Sequence, residues 1–316
     1  MKVMIIKAFG GADVFEAAEI ATPEPGANEL LVRIKATSVN PVDYQTRRGD
    51  YQDLMTLPAV LGSDVSGVVE KIGSAVAEFA AGDEVYYMPE LLQGSGSYAQ
   101  YHVADKSIVA RKPANLSHVE AASMPLVGVT VWDCLMIRGQ LQAGESVLIH
   151  AGAGGIGSFA IQLAKAMGAY VFTTCSARNI DLPKSLGADR VIDYHKEDYA
   201  QVIHQETAGA GVDLVLDTIG GDTIERSFTI LRPSGRLISI VDISQPQNLL
   251  AAWDKNVTLH LVFATPYGAK LDRLRELIER GQIRPVIDSV LPLTEVAEAH
   301  KKLEQGGVRG KIVLEN

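Results

Sequence analysis

Apolar and polar positions change rhythm near the middle of the chain. Up to about Ser123, short β-like runs such as Glu29–Ala36, Val65–Ile72 and Glu84–Met88 alternate with Gly, Pro and Asp turns, which predicts a mostly β domain. From about Glu145, apolar strand candidates alternate with amphipathic helices: SVLIHAG, AYVFTTC, RVIDY, DLVLDTIG, RLISIV and VTLHLVF. Such βαβ alternation predicts a doubly wound parallel sheet. Between the first two of these strands, Ile156, Ala160, Leu163, Ala164 and Met167 recur at helical spacing and Gly168 supplies a stop. Beyond Phe263 the pattern predicts two more helices, LDRLRELIERG and EVAEAHKKLEQGG, and a final strand GKIVLE.

Length fits this two-part reading, because 316 residues exceed what one hydrophobic core ordinarily supports. A content of 47% hydrophobic and 21% charged residues is that of a packed chain. The formal charge of -9 argues against a broad nucleic-acid or acidic-membrane footprint. No apolar run approaches the ~20 residues of a membrane span, and Lys7 interrupts the opening MKVMIIKAF, so a cytoplasmic protein is expected. Cys134 and Cys175 are too few for a disulfide framework or a Cys-rich metal site, and the histidines are scattered, so no metal is expected.

The chemistry concentrates in HAGAGGIGSFA. Gly152, Gly154 and Gly157 fit G-x-G-x-x-G, with Ala153, Gly155 and Ile156 between them. The loop follows a predicted strand and opens a predicted helix, whose N-terminal N–H groups and dipole favour a pyrophosphate. Tight packing alone accounts for a turn here but not for so many glycines at these spacings. About 20 residues further on, where an acidic residue would bind the ribose hydroxyls of NAD, the chain reads TTCSARN. Ser176 and Arg178 offer a hydroxyl and a fixed positive charge, which suit a 2′-phosphate and favour NADPH. A solvated surface arginine with Asp181 close by is the competing reading.

Taken together, Val39-Asn40-Pro41-Val42-Asp43 with Arg47 and Gly49, LPAVLGSDVSGVVEKIGSAV, GDEVY, GSYAQYHV, AASMPLVGVTVWDCL, AGAGGIGSFAIQLAK, LGADRVIDY and the closing GKIVL resemble the medium-chain dehydrogenase/reductase superfamily. The resemblance is to its zinc-free, quinone-oxidoreductase-like (zeta-crystallin-like) branch. It implies an α/β fold: a GroES-like β-rich catalytic domain over 1–125, a Rossmann NADP(H)-binding domain over 126–262, and a return to the first domain over 263–316. The active site is expected in the cleft between them. Zinc-dependent members carry Cys where this chain has Asn40, and a His-Glu pair where it has Ser63-Asp64. Oxidising an alcohol needs a Lewis acid on the alkoxide, whereas an electron-poor quinone or conjugated enone needs only a donor for its oxygen. The expected activity is therefore NADPH-dependent reduction of a quinone, enone or enal. A zinc alcohol dehydrogenase and a non-catalytic NADPH-binding sensor or structural protein are the alternatives.

By position, the resemblance implies that Asn40 and Tyr51 line the nicotinamide end, with Tyr51 donating its hydroxyl to the substrate oxygen; a packing tyrosine is the alternative role. Thr130 is expected on the cofactor, Ser176, Arg178 and Tyr194 around the 2′-phosphate, Ser239 and Val241 along the cofactor, and Lys311 on a phosphate or simply at the surface. Asp43 and Asp64 are expected mainly to order turns, the loop from Pro89 to Ser97 to border the substrate pocket, and the chain to form a homodimer.

Overall fold

A computed structural model describes residues 1–241 and 246–316. The chain forms two compact units: Met1–Val129 with Thr265–Arg280 and Pro285–Asn316, and Thr130–Ala264 with Gly281–Arg284.

The first unit is built on a seven-stranded sheet. Its long central strand, Glu29–Val39, pairs antiparallel with Val65–Ile72, with Tyr101–Asp105 and with the C-terminal strand Lys311–Glu315. The register Ile312↔Val39 brings Lys311 beside Asn40. A smaller sheet, Phe15–Glu19, Lys2–Ile6 and Ala59–Val60, was not foreshadowed by the pattern of apolar residues. Helix α1 (Pro41–Arg48) starts where the central strand ends. Pro41 at its first position is preset for helical φ, the Asp43 carboxylate accepts the Asn40 backbone N–H at 2.8 Å, and Gly49 closes the helix at φ +98°.

All six strands expected in the second unit form, in one parallel sheet. The order is Arg190–Asp193, Tyr170–Cys175, Ser146–Ile149, Val212–Asp217, Leu231–Ser239, Thr258–Leu261. The chain reverses direction across the sheet after Ser146–Ile149, placing its C-terminal end at the switch point where doubly wound folds bind ligands. Helix α2 (Gly155–Ala166) follows that strand and ends in the left-handed Gly168 (φ +81°). The apolar stripe read from its sequence is too narrow, since every residue from Ser158 to Ala164 is buried. The reason is a second cover: Gln162 donates to the Arg284 carbonyl at 3.0 Å and accepts the Arg284 N–H at 2.9 Å, so Gly281–Arg284 lies against the helix. Among the described residues, no helix is long and apolar enough to cross a membrane.

Candidate active site

In the second unit, the glycine loop is shaped by two close approaches. A Cβ on Gly152 would lie 2.1 Å from Thr173 Oγ1, and one on Gly157 would lie 2.3 Å from the Ala151 carbonyl oxygen. These glycines let the turn and the helix start press against the strands. Gly154 differs: it is the residue before the helix, with extended backbone at φ −79°, and a Cβ there would meet only the Ala151 oxygen, at 3.4 Å. No side chain caps α2, and its first ladder bond runs from the Ser158 N–H to the Gly154 carbonyl. The N–H groups of Gly155, Ile156 and Gly157 therefore precede the ladder at the positive end of the helix dipole, above a residue without a side chain. A pyrophosphate fits such a place. Ala153 is buried against Cys175 and Val191, so it serves the packing of the loop, while Ile156 is half-buried.

Ser176 and Arg178 follow the strand Tyr170–Cys175 and Tyr194 follows its neighbour Arg190–Asp193; the Tyr194 N–H donates to the Cys175 carbonyl at 3.3 Å. Arg178 lies in a single 3-10 turn, Ala177–Asn179; its side chain is exposed and, among the described residues, makes no hydrogen bond or ion pair. Asp181 does not hold it. Tyr194 is 53% exposed, its ring 4.3 Å from that of His195. An exposed guanidinium and an exposed aromatic ring at the ends of adjacent strands are groups suited to a phosphate monoester and a flat base.

Ser239, expected along the cofactor, is bonded within the sheet. It is fully buried, and its hydroxyl donates to Asp217 Oδ2 at 2.8 Å; Asp217 also accepts the Gly220 N–H, so the pair braces two strand ends. Val241 follows, its N–H 3.4 Å from Ser239 Oγ. Thr130 is buried at the start of this unit.

In the first unit, Lys311 departs from the expectation of a phosphate contact. Its ammonium is buried and donates to the Val39 carbonyl (3.1 Å), to Asn40 Oδ1 and to Asp64 Oδ2 (3.4 Å). Asn40 is only 1% exposed, and its Nδ2 donates to Asp64 Oδ2 at 2.7 Å, so both ends of its amide are engaged. Asp64 further accepts the Ser38 hydroxyl and the Leu126 N–H. Burial pulls the Lys311 pKa down, and the Asp64 carboxylate opposes this. The cluster is a satisfied ion pair with Asn40 clamped inside it.

Beside it lies a small pocket walled by Val42, Met55, Val60 and Leu61 and by the loop Glu90–Gly94, as expected for that loop. Tyr51 is half-buried ahead of the turn Gln52–Leu54 and is not among the lining residues. The polar groups facing this pocket include Ser63 and Asp43, which the sequence reading left without a chemical role. Asp43 accepts hydrogen bonds from the Ser63 hydroxyl (2.5 Å), the Asn40 N–H (2.8 Å) and the Tyr98 hydroxyl (3.1 Å). Burial raises its pKa from 3.8 to about 6, against the lowering effect of the Ser63 hydrogen bond. Signals for both residues were present in the sequence, as a serine standing in the place of a metal-ligand histidine and an aspartate two residues after a helix-starting proline.

The glycine loop on a parallel sheet with reversed strand order is the architecture of a dinucleotide-binding oxidoreductase domain. Comparison with known proteins narrows this. Residues 26–114 match the alcohol dehydrogenase GroES-like domain, and residues 186–314 match the zinc-binding dehydrogenase family. The chain is 33% identical to the NADPH-dependent alkenal/one oxidoreductase of Arabidopsis thaliana over 99% of its own length and 79% of that protein. It superposes on the quinone oxidoreductase of Coxiella burnetii with a TM-score of 0.92 at 35% identity, covering 100% of this chain and 99% of the other. With the Escherichia coli quinone oxidoreductase complexed with NADPH the TM-score is 0.91 at 29% identity, covering 100% of both. The chain belongs to the medium-chain dehydrogenase/reductase superfamily, in its quinone-oxidoreductase-like branch.

Proposed function

We propose that this protein is an NADPH-dependent reductase of quinones or α,β-unsaturated carbonyl compounds. The observation that carries the reading is the open N-terminus of α2 above Gly154, paired with the exposed Arg178 at the next strand end. The relatives named for NADPH-dependent alkenal/one reduction and for quinone reduction support the same assignment.

NADPH, when bound, supplies hydride. The chain's own residues do the rest: the N–H groups of Gly155, Ile156 and Gly157 bind the pyrophosphate, and Ser176, Arg178 and Tyr194 hold the 2′-phosphate end. The first unit offers the acceptor a pocket in which aliphatic side chains stand beside the polar groups of Asp43 and Ser63. Zinc independence belongs to the same proposal. The cation at Asn40 and Asp64 is the ammonium of Lys311, and a divalent ion would have to displace it.

Association as a homodimer completes the reading. Thr258–Leu261 is the outer strand of the parallel sheet, and Leu249, Leu250, Trp253 and Leu261, all more than half exposed, lie on it or on the helix before it. A second copy pairing at this edge would cover them. Two buried free cysteines suit a cytoplasmic location.

The test is NADPH oxidation by the purified protein with a panel of quinones and 2-alkenals. Turnover with at least one acceptor class is expected, and silence across the panel would overturn the reading.

A further inference from the structure

The pocket of the first unit holds two hydroxyls and a buried carboxyl group. Thr46 and Ser63 both face it, but the Thr46 hydroxyl is committed to the Val42 carbonyl at 2.7 Å within α1. The Ser63 hydroxyl is bonded to a carboxyl group instead of a carbonyl. Its position is held rigidly: the preceding Gly62 has φ +103°, and a Cβ there would meet Ser97 Oγ at 2.4 Å and the Tyr98 ring at 2.6 Å. Asp43 is 3% exposed and Ser63 4%, so the couple sits at the base of the pocket, away from bulk water. The aliphatic side chains of Val42, Met55, Val60 and Leu61 beside the couple suit an uncharged carbonyl group.

We propose that Ser63 and Asp43 form a proton-delivery couple for an uncharged carbonyl acceptor whose oxygen rests on the Ser63 hydroxyl. The proposal rests on the reductase reading above, since it concerns the proton that accompanies two-electron reduction. Reduction leaves an electron pair on the acceptor oxygen. The Ser63 O–H bond breaks as its proton passes to that oxygen, and the Asp43 carboxylic O–H bond breaks as its proton passes to Ser63 Oγ. Asp43 is left as a carboxylate and takes a proton from water once the product departs. Ser63 is the catalytic residue; Asp43 is a positioning residue and proton reservoir behind it.

The surroundings extend the pH range in which the reservoir holds its proton upward, to about 6. Asp64 faces Asp43 as a like charge and Lys311 as an opposite one, and Tyr98 donates to it from the other side. Behind Tyr98 stand His300, 3.0 Å from the Tyr98 hydroxyl, and Arg47, whose charge acts on both. Glu90 is exposed on the pocket wall. With a pKa raised to about 6, chiefly by burial, Asp43 carries its proton below that pH and loses it above.

Two measurements on the full chain test the couple. The first follows the protonated-carboxyl infrared band during a pH titration without cofactor. Wild type should show a buried acid titrating near pH 6 that is missing from Asp43→Asn and retained in Ser63→Ala. The second is the pH profile of kcat with a quinone and an alkenal. Wild type should lose activity as pH rises through about 6. Ser63→Ala should be slower by about 100-fold, the lower range for general acid catalysis, with that limb gone and NADPH affinity unchanged. Ser63→Ala removes one hydroxyl and keeps the test open if Asp43→Asn fails to fold. A Ser63→Ala enzyme as fast as wild type, with the same limb, overturns the couple and leaves the reductase reading standing. Absence of turnover in wild type overturns both.

Discussion

Lys311 Nζ lies 3.4 Å from Asp64 Oδ2, with 7% of one side chain exposed and none of the other; Asp64 immediately precedes the strand Val65–Ile72 and Lys311 opens the C-terminal strand, 247 residues later. Each charge is tolerable because the other is present, and Asn40 is held between them. Breaking a buried pair by removing one partner costs about 3–5 kcal/mol, because the survivor remains uncompensated. Lys311→Met should therefore destabilise the protein by about that amount in urea unfolding. Adding Asp64→Asn should recover part of the loss, with a coupling of about 0.5–3 kcal/mol. Strictly additive costs would show that the two groups do not sustain each other.

Arg178 is exposed and, among the described residues, makes no hydrogen bond or ion pair, so its removal should leave stability unchanged and act only on ligand binding. A charge-assisted hydrogen bond contributes about 1.5–3 kcal/mol. Arg178→Ala should weaken NADPH binding by roughly 10- to 100-fold in titration calorimetry while NADH, which lacks the 2′-phosphate, changes little. Equal losses for both would place the phosphate elsewhere.

The elements that the sequence revealed most clearly are those whose cause is local. The six parallel strands are apolar runs bounded by turns, and α2 carries its own start and stop in Gly154 and Gly168. What escaped was set by partners far along the chain. Lys311 reads as a terminal-strand lysine until the register Ile312↔Val39 carries it to Asn40, 271 residues away. The family resemblance places Ser239 along the cofactor but gives no hint that Asp217 on the neighbouring strand accepts its hydroxyl. The π-helix Trp132–Arg138 also had no sequence signal, since its apolar spacing resembles that of an ordinary helix. The pairing of Ser63 with Asp43 spans 20 residues and a helix, and only the packing of Gly62 against Tyr98 shows why it is fixed.

The glycines of the loop should separate into two kinds when substituted. At Gly157 a methyl group would sit 2.3 Å from a backbone oxygen, which cannot move without shifting the strand. Gly157→Ala should lose several kcal/mol of stability or fail to fold. At Gly154 the backbone is ordinary and the nearest atom is 3.4 Å away, so Gly154→Ala should fold with near wild-type stability. Its methyl group would nevertheless enter the space above the α2 N–H groups. Thermal unfolding paired with NADPH titration should show binding lost at Gly154→Ala while stability stays, and retained binding would remove the pyrophosphate from that helix start.

The buried titratable groups set an acid limit to stability whose slope is open to measurement. Burial pushes His102 down to about 4 and His150 and His300 to about 3, from an ordinary 6.5. These rings are neutral in the fold, but the unfolded chain protonates them below 6.5. Their stabilising contribution is therefore complete above 6.5 and is lost as pH falls toward the folded values. Asp43 acts in the opposite sense: with its pKa raised from 3.8 to about 6, the fold holds a proton between those values that the unfolded chain lacks. At pH 5 unfolding should thus take up about two protons from these four groups, three onto the histidines less one from Asp43, giving a slope near 3 kcal/mol per pH unit. Urea denaturation at half-unit steps from pH 4.5 to 6.5 would measure the slope. His300→Phe should reduce it by about 1.4 kcal/mol per unit, whatever the substitution does to absolute stability, because one proton leaves the balance. An unchanged slope in that variant would mean that His300 is already charged within the fold, and the chain from His300 through Tyr98 to Asp43 would then carry the opposite polarity.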